Sequence, residues 1–448
     1  MRARAGGSAR LVLAAGLLAC LALAPAARAQ PPDTAAWTPI ATPGSQAAAA
    51  TPVSAAALDG KLGRLIRSAG AGGGAWVYDA DARRALFGFR ANRARILASN
   101  TKLFTTAAAI DRLGAKARLE TRVWESGFGD EQQPAPGEAP DSPPNEGVVE
   151  GSLYLVGGGD PALGSGSFAK RNNLPLTNLK DLAAEVEGAG IERVRGKLRV
   201  DANVFDRKRG TGVSGWSRYI GPLSGLTYNS GVGGGDPAMS AGAAFERLLR
   251  KRGIQINGVA RGRVPGELAD EQPVAVARSL ELSRLVDETN ETSNNFFAEM
   301  LLKRLDAGKD GARGSTRGGA RRVRRFARGL GSKFRARDGS GLSRANRASP
   351  HSVGKLLAGM LEHDGGRAFA DSLPVAGREG TVRGRMRGTA AQGRCRAKTG
   401  TLTGVSALSG YCDTGGHEIV FSIVMNGTDV GAARLIQDRM VAAIARYG

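Results

Sequence analysis

Ser99 and Lys102 stand three residues apart in Ala98-Ser99-Asn100-Thr101-Lys102-Leu103-Phe104, and they are a pair of side chains that could do chemistry together. A serine hydroxyl is a weak nucleophile at neutral pH and needs a base within hydrogen-bond reach; one helical turn sets residue i+3 beside residue i. The following stretch, Thr105 to Ile110, is Ala-rich and mostly apolar, with no Gly or Pro before Gly114, which predicts a buried helix opening near Ser99. At such a helix start a serine feels the positive end of the macrodipole, and a desolvated lysine gives up its proton readily. The same spacing recurs at Ser167/Lys170 and Ser352/Lys355. Any one copy is equally well a serine near a helix start followed by a solvated lysine. Ser167 runs into the polar Lys170-Arg171-Asn172-Asn173, whereas Ser352 does precede an apolar helix, so chain order has to separate it from Ser99.

Two further short motifs supply that order: Ser293-Asn294-Asn295, then Lys398-Thr399-Gly400. Ser-x-x-Lys, Ser-x-Asn and Lys-Thr-Gly in sequence resemble the penicilloyl-serine transferases, and of the three Ser-x-x-Lys copies Ser352 lies after Ser293. Within that superfamily the chain is most similar to the D-alanyl-D-alanine carboxypeptidase/endopeptidase family, the low-molecular-mass class C penicillin-binding proteins (peptidase family S13). The likeness covers most of residues 58–448. It includes Gly157-Gly158-Gly159-Asp160-Pro161, Asp338-Gly339-Ser340-Gly341-Leu342-Ser343-Arg344, and Lys398 to Leu402 leading to Leu408-Ser409-Gly410-Tyr411. Asn294 stands where the family commonly has Asp, and the insert between Ser99 and Ser293 is shorter than in larger members.

The resemblance implies a fold, a reaction and roles. The fold is α+β, of the penicillin-binding-protein/serine β-lactamase transpeptidase type: an antiparallel sheet flanked by helices, with an inserted β-rich region. Ser99 attacks the carbonyl between two terminal D-alanines with Lys102 as base, and Ser293 relays a proton to the leaving amine. Asn295 holds a substrate amide; Lys398 and Thr399, in the strand that continues through Gly400 and Thr401, bind the terminal carboxylate. The backbone N–H groups of Ser99 and Thr401 form an oxyanion hole. Asp160 is placed near the cleft, where it could pair with the free amine of a diamino acid or simply cap its turn. Peptidoglycan stem peptides are the implied substrates and β-lactams the covalent inhibitors. No cofactor or metal is called for, and His351, His363 and His417 have no zinc-ligand spacing.

Several elements must position these residues. A helix over Leu58 to Ser68 and a hairpin of Ala75–Asp79 and Ala85–Phe89 precede Ser99. From Leu285 the chain reads as helical through Leu302, and near the end three strands surround Lys398, followed by a helix with Leu435, Ile436, Met440, Val441 and Ile444 at helical spacing. Between them, residues 121–284 read as an inserted region with its own small core, leaving 57–120 and 285–448 as two parts of one catalytic domain. Of three cysteines, Cys395 and Cys412 remain if an N-terminal signal containing Cys20 is removed. A two-residue hairpin turn at Thr403-Gly404 makes them opposed, in a non-hydrogen-bonded pair close enough for a disulfide.

The N-terminus reads as an export signal, residues 1–29, with Arg2, Arg4 and Arg10 ahead of the apolar run Leu11 to Ala24 and Ala27-Arg28-Ala29 as the cleavage site; a lipobox at Cys20 is the second reading. Residues 30–56, rich in Pro, Ala and Thr, read as a disordered tether. An exported, extracytoplasmic or periplasmic protein follows, in which a disulfide persists. The formal net charge is +22; removing Arg2, Arg4, Arg10 and Arg28 leaves +18. Much of it lies between Lys303 and Arg347, where Ala320, Val323, Phe326, Ala327 and Leu330 predict a core-packed helix with a solvated arginine face. Attraction to an anionic envelope surface is the functional alternative; low aromatic content and export argue against nucleic acid. A β-lactamase or esterase on the same fold, or a non-catalytic envelope-binding protein, remain as rival functions.

Overall fold

The computed structural model describes residues 53–127, 147–210, 220–233, 235–269, 271–308 and 311–448, all within the unit Thr42–Gly448. The expected signal peptide, residues 30–52 of the expected tether, and the loop from Gln132 to Asn145 lie outside the described residues. The first helix, Ala55–Arg67, begins inside the stretch assigned to the tether because Ser54 caps it, its hydroxyl accepting from the Ala57 N–H at 3.3 Å. Residues 55 and 56 therefore belong to the folded part. Leu58, Leu62 and Ile66 recur every four residues and are all buried.

The helix packs on a five-stranded antiparallel sheet with the order Cys395–Leu402, Val405–Asp413, Glu418–Asn426, Gly73–Asp79, Arg84–Phe89. The first and last segments of the described chain thus share one sheet. Strand Glu418–Asn426 shows how its two faces are used. Phe421, Ile423 and Met425 join Leu58, Leu62 and the C-terminal helix Val430–Ile444 in one core, while Val420 and Val424 join Phe104, Leu356 and Leu357 in another. Alternate side chains point to opposite faces, so a strand covered by helices on both sides must be apolar nearly throughout. Each fully buried Leu, Ile or Phe contributes roughly 1.5–3 kcal/mol. Leu435 departs from the expected pattern of the last helix: it is 61% exposed. Gln437 is buried in its stead, its Oε1 accepting from the Ser406 hydroxyl at 3.1 Å.

Cys395 pairs with Cys412 in register, around the turn after Leu402↔Val405, and the two form a disulfide with a Cα separation of 4.0 Å. The Asp413 N–H donates to Arg394 O at 3.0 Å, which makes 394/413 a hydrogen-bonded pair and 395/412 the closer, non-hydrogen-bonded kind.

A second sheet carries the insert: Val259–Arg261, Leu198–Asp201, Leu153–Gly157, Glu120–Glu125, Ala275–Arg278. Its first three strands run parallel and the others antiparallel. Parallel neighbours need crossovers, and helices Leu179–Gly188 and Pro237–Lys251 lie in the connections and bury Leu182, Val186, Phe245 and Leu249 with Leu155 and Val200 in a separate core. The arginine-rich segment forms helix Thr316–Gly329, which buries Ala320, Val323 and Ala327 and partly buries Phe326, as a core-packed helix should.

Candidate active site

Ser99 lies in a single 3-10 turn, Ala98–Asn100, that runs directly into helix Thr101–Leu113, with every residue from Thr101 to Ile110 buried. The turn is held under strain. Ala98 has φ 47°, a left-handed conformation that costs a residue with a Cβ on the order of 1 kcal/mol. Two glycines from distant motifs make room for it. A Cβ on Gly341 would lie 2.0 Å from Ala98 O, and one on Gly400 would lie 2.6 Å from Leu97 O. Gly400 is thus needed for close approach of the strand to the backbone of the Ser99 turn.

Lys102 is completely buried. Its Nζ lies 3.1 Å from Ser99 Oγ and donates to Asn295 Oδ1 and to Ser340 O, both at 2.7 Å. Burial lowers its pKa to about 7, against the opposing pull of Asp338 and Glu299. The carbonyl of Ser340 is aimed by those acids. Glu299 Oε1 accepts from the Gly339 and Ser340 N–H groups at 3.0 and 2.8 Å, and Asp338 accepts from Gly341 and Ser343 N–H. Thr105 Oγ1, one turn along the helix from Lys102, donates to Gly339 O at 2.9 Å. Burial, then the neighbouring Asp338, pushes the Glu299 carboxyl well above the ordinary carboxylate range. Sequence reasoning missed Glu299. Its signal was a lone acid, four residues after Asn295, in the otherwise apolar run Phe296 to Leu302.

The segment read as continuous helix from Leu285 to Leu302 is two helices, Leu282–Glu291 and Asn295–Arg304, broken at Ser293, which has φ 64°. The break turns the Ser293 side chain to the cleft and lets Asn294 cap the second helix, its Oδ1 accepting from the Phe297 N–H at 3.2 Å. Asn caps as well as Asp. Its amide also donates to Glu288 Oε1 at 3.0 Å, which an aspartate could not do.

Strand Cys395–Leu402 is an edge strand. Counting the ladder from 394/413, the 399/408 and 401/406 pairs are non-hydrogen-bonded, so the N–H groups of Thr399 and Thr401 face the open edge rather than the neighbouring strand. Lys398 is buried; its carbonyl accepts from Asn100 Nδ2 at 2.8 Å, tying the strand to the serine turn. Burial, with Lys102 as the second cause, drives the Lys398 pKa well down.

A cleft of about 830 Å³ exposes Ser99, Ser293, Thr381, Thr399, Thr401 and Arg434. Thr399 Oγ1 donates to Thr381 Oγ1 at 2.9 Å, and Arg434 Nη2 donates to Thr401 Oγ1 at 3.1 Å. Arg385, also in the lining, is already engaged with Asp438. Thr381 and Arg434 were not anticipated, since contacts from distant loops and helices leave no local pattern. Asp160 is not part of this lining. It is buried in its own turn, where Oδ1 accepts from the Ala162 N–H at 2.8 Å while Oδ2 has no hydrogen-bond partner. Burial raises its pKa to about 6, and the nearby Thr177 hydroxyl acts against this without being aligned for a hydrogen bond. Elsewhere, Asp79, Asp81 and His417 each bring one ligand atom within 4.8 Å of the others. The His417 ring lies 3.0 Å from Asp79, whose other oxygen accepts from Ala82 N–H.

A serine beside a buried, proton-poor lysine, a second serine across a cleft, and an edge strand with free N–H groups together define a serine acyl-transfer enzyme of penicillin-binding-protein architecture. The chain belongs to the D-Ala-D-Ala carboxypeptidase 3 (S13) family, whose model matches residues 54–232 and 221–447. It is 31% identical over 469 residues to the D-alanyl-D-alanine carboxypeptidase of Actinomadura sp., covering 84% of this chain and 82% of the relative. Its fold is similar to that of penicillin binding protein 4 from Haemophilus influenzae, at a TM-score of 0.67 and 21% identity over 85% of this chain and 97% of that one. The same protein complexed with a β-lactam matches at a TM-score of 0.65, with 20% identity and the same coverage. A predatory peptidoglycan endopeptidase of Bdellovibrio bacteriovorus shares the fold at a TM-score of 0.52, with 18% identity over 82% of this chain and 90% of that one.

Proposed function

We propose that the chain is a serine D-alanyl-D-alanine carboxypeptidase/endopeptidase that cleaves peptidoglycan stem peptides through an acyl-serine intermediate and is acylated by β-lactams. The observation that carries this reading is the environment of Lys102. With a pKa near 7, about half of it is the neutral amine at neutral pH and most of it above. Its two N–H groups are taken by oxygens that only accept, Asn295 Oδ1 and Ser340 O, which leaves the lone pair for the Ser99 hydroxyl proton.

As Ser99 Oγ bonds to the carbonyl carbon, its proton passes to Lys102 Nζ. The oxyanion is held by the N–H groups of Ser99 and Thr401, each worth about 3 kcal/mol in the transition state. Collapse breaks the C–N bond, and the leaving amine takes a proton through Ser293. Water then attacks the ester, its proton going back through Lys102, and Ser99 is restored. Thr399, Thr401 and the Lys-Thr-Gly backbone receive the terminal carboxylate. Lys398, driven toward neutrality, is the weaker charge for that task, and the solvated Arg434 guanidinium is the stronger. Asp160 is assigned the amine of a diamino acid: its Oδ2 has no hydrogen-bond partner but lies buried outside the cleft lining, so its turn must open for the amine to reach it. The N-terminal signal pattern supports action outside the cytoplasm, and the net positive charge supports attraction to an anionic envelope.

Incubating the mature protein with muropeptides, with that amine free or acetylated, and identifying the products by mass spectrometry tests the reading. Loss of terminal D-alanine or of a cross-link supports it. Intact muropeptides together with rapid penicillin turnover would show a β-lactamase instead.

A further inference from the structure

Apart from the catalytic cleft, a pocket of about 530 Å³ is lined by five arginines: Arg207, Arg209, Arg261, Arg263 and Arg313. Val200, Phe205 and Leu223 supply apolar lining, and the size suits a small molecule or the end of a chain. The arginines come from three separated stretches. Two follow strand Leu198–Asp201, two lie at the end of and just beyond strand Val259–Arg261, and Arg313 precedes helix Thr316–Gly329. A bridge between Phe205 and Gly314 joins the first stretch to the third, with the Asp206 N–H donating to Gly314 O at 2.9 Å and the Gly314 N–H to Val204 O at 2.8 Å.

The charges around this pocket do not balance. Arg209 and Arg261 share a single acid, Asp236. Asp206, the carboxylate in the lining, is taken by the buried Lys303 at 2.6 Å. Arg207, Arg263 and Arg313 are exposed, and none has an ion pair or hydrogen bond among the described residues. An arginine excess alone would scatter such side chains outward, as on the solvated face of helix Thr316–Gly329. Here they converge on a concavity, where like charges repel by about 1 kcal/mol per close pair even in water. A bound oxyanion would turn that repulsion into charge-assisted, bidentate contacts.

We infer that this pocket binds an oxyanion-bearing ligand, the phosphoryl or carboxylate groups of an anionic envelope polymer, through Arg207, Arg263 and Arg313. The site is independent of the peptidase reading, because none of its residues lines the catalytic cleft. Titration calorimetry at roughly physiological ionic strength, where diffuse attraction is screened beyond about 8 Å, tests it with two probes, inorganic pyrophosphate and citrate. Saturable one-to-one binding of either is expected, and the tighter probe tells phosphoryl from carboxylate chemistry. R207Q/R263Q/R313Q should weaken binding on the order of tenfold or more. R321Q/R325Q/R328Q removes the same charge from exposed helix positions and should change it by less than about twofold. Penicillin labelling of each variant reports the integrity of the fold; if the pocket triple loses labelling, Arg313→Gln alone takes its place, with a loss of roughly threefold expected. Failure of both probes to bind the unaltered protein, or equal weakening by the two triples, overturns the site.

Discussion

Helices Thr101–Leu113 and Pro350–Leu361 both follow or contain a serine with a lysine three residues on, yet the fold uses them in opposite ways. In the first, the lysine is buried and the serine opens onto the cleft. In the second, Ser352 is buried, its N–H donating to Ser349 Oγ at 3.1 Å and its Oγ accepting from Lys333 N–H at 3.3 Å, while Lys355 is exposed. Spacing brings hydroxyl and amine to one side of a helix in both cases. Reactivity requires the reverse burial: a dehydrated base that is short of its proton, and a hydroxyl with a substrate beside it. The largest expected effect follows. Ser99→Ala should abolish covalent labelling by a fluorescent penicillin while circular dichroism remains unchanged, and Ser352→Ala should keep the adduct. The opposite outcome would reassign the nucleophile.

The contrast also shows what could be read in the chain and what could not. The gathering of Ser99, Lys102, Ser293, Asn295 and Lys398 at one place was legible because they stand in short, ordered motifs. The register of Cys395 and Cys412 was legible because a two-residue turn fixes the pairing of every residue beyond it. The left-handed Ser293 was not, since apolar periodicity continues across the break and only tertiary packing pays for φ 64° there. Gln437 for Leu435 in the last helix is similar: a buried glutamine is tolerable only because Ser406 and Arg385 reach it from other elements. Arg434 and Glu299 act through residues far away in sequence, beyond any local pattern.

The two lysines sharpen the comparison next. Lys102→Ala should lower the rate of acylation by roughly 10²–10⁴-fold, the usual range for a positioned base, whereas Lys355→Ala should leave it unchanged. The pH dependence has a definite sign. Burial depresses the Lys102 pKa from 10.5 to about 7, so the active, neutral amine is present above that value and is lost as pH falls through it. Stopped-flow acylation rates should therefore decline on the acid side with a midpoint near 7. A midpoint close to the ordinary lysine value would show that burial does not set the base.

Charge at the cleft's rim contributes less than the base within it. Arg434→Ala should raise KM for peptides with a free terminal carboxylate by about tenfold, the effect of one charge-assisted hydrogen bond, with kcat nearly preserved. Peptides whose terminus is amidated should be almost indifferent to the change. Equal losses on both substrates would mean that Arg434 supports Thr401 and does not meet the carboxylate.

The smallest effect concerns the acid behind the base, which the Ser352 helix start does not reproduce. Glu299 receives the Gly339 and Ser340 N–H groups and so directs Ser340 O at Lys102. Burial holds the carboxyl well above the ordinary carboxylate range, so it is largely neutral where Lys102 titrates and places the amine without charging it. Glutamine reproduces that neutral acceptor. Its carbonyl oxygen still accepts both backbone N–H groups, and it carries no charge at any pH. Glu299→Gln should keep the maximal acylation rate within a few-fold and leave the acid limb near 7, because it replaces a largely neutral carboxyl with a neutral amide. Glu299→Ala removes the acceptor itself, leaves two buried N–H groups unpaired at roughly 1–3 kcal/mol each, and should lower the plateau as well as stability. A limb moved well below 7 by glutamine would show that Glu299 is charged where Lys102 titrates, and an alanine variant that keeps the plateau would show that Lys102 is positioned by Asn295 and the helix alone.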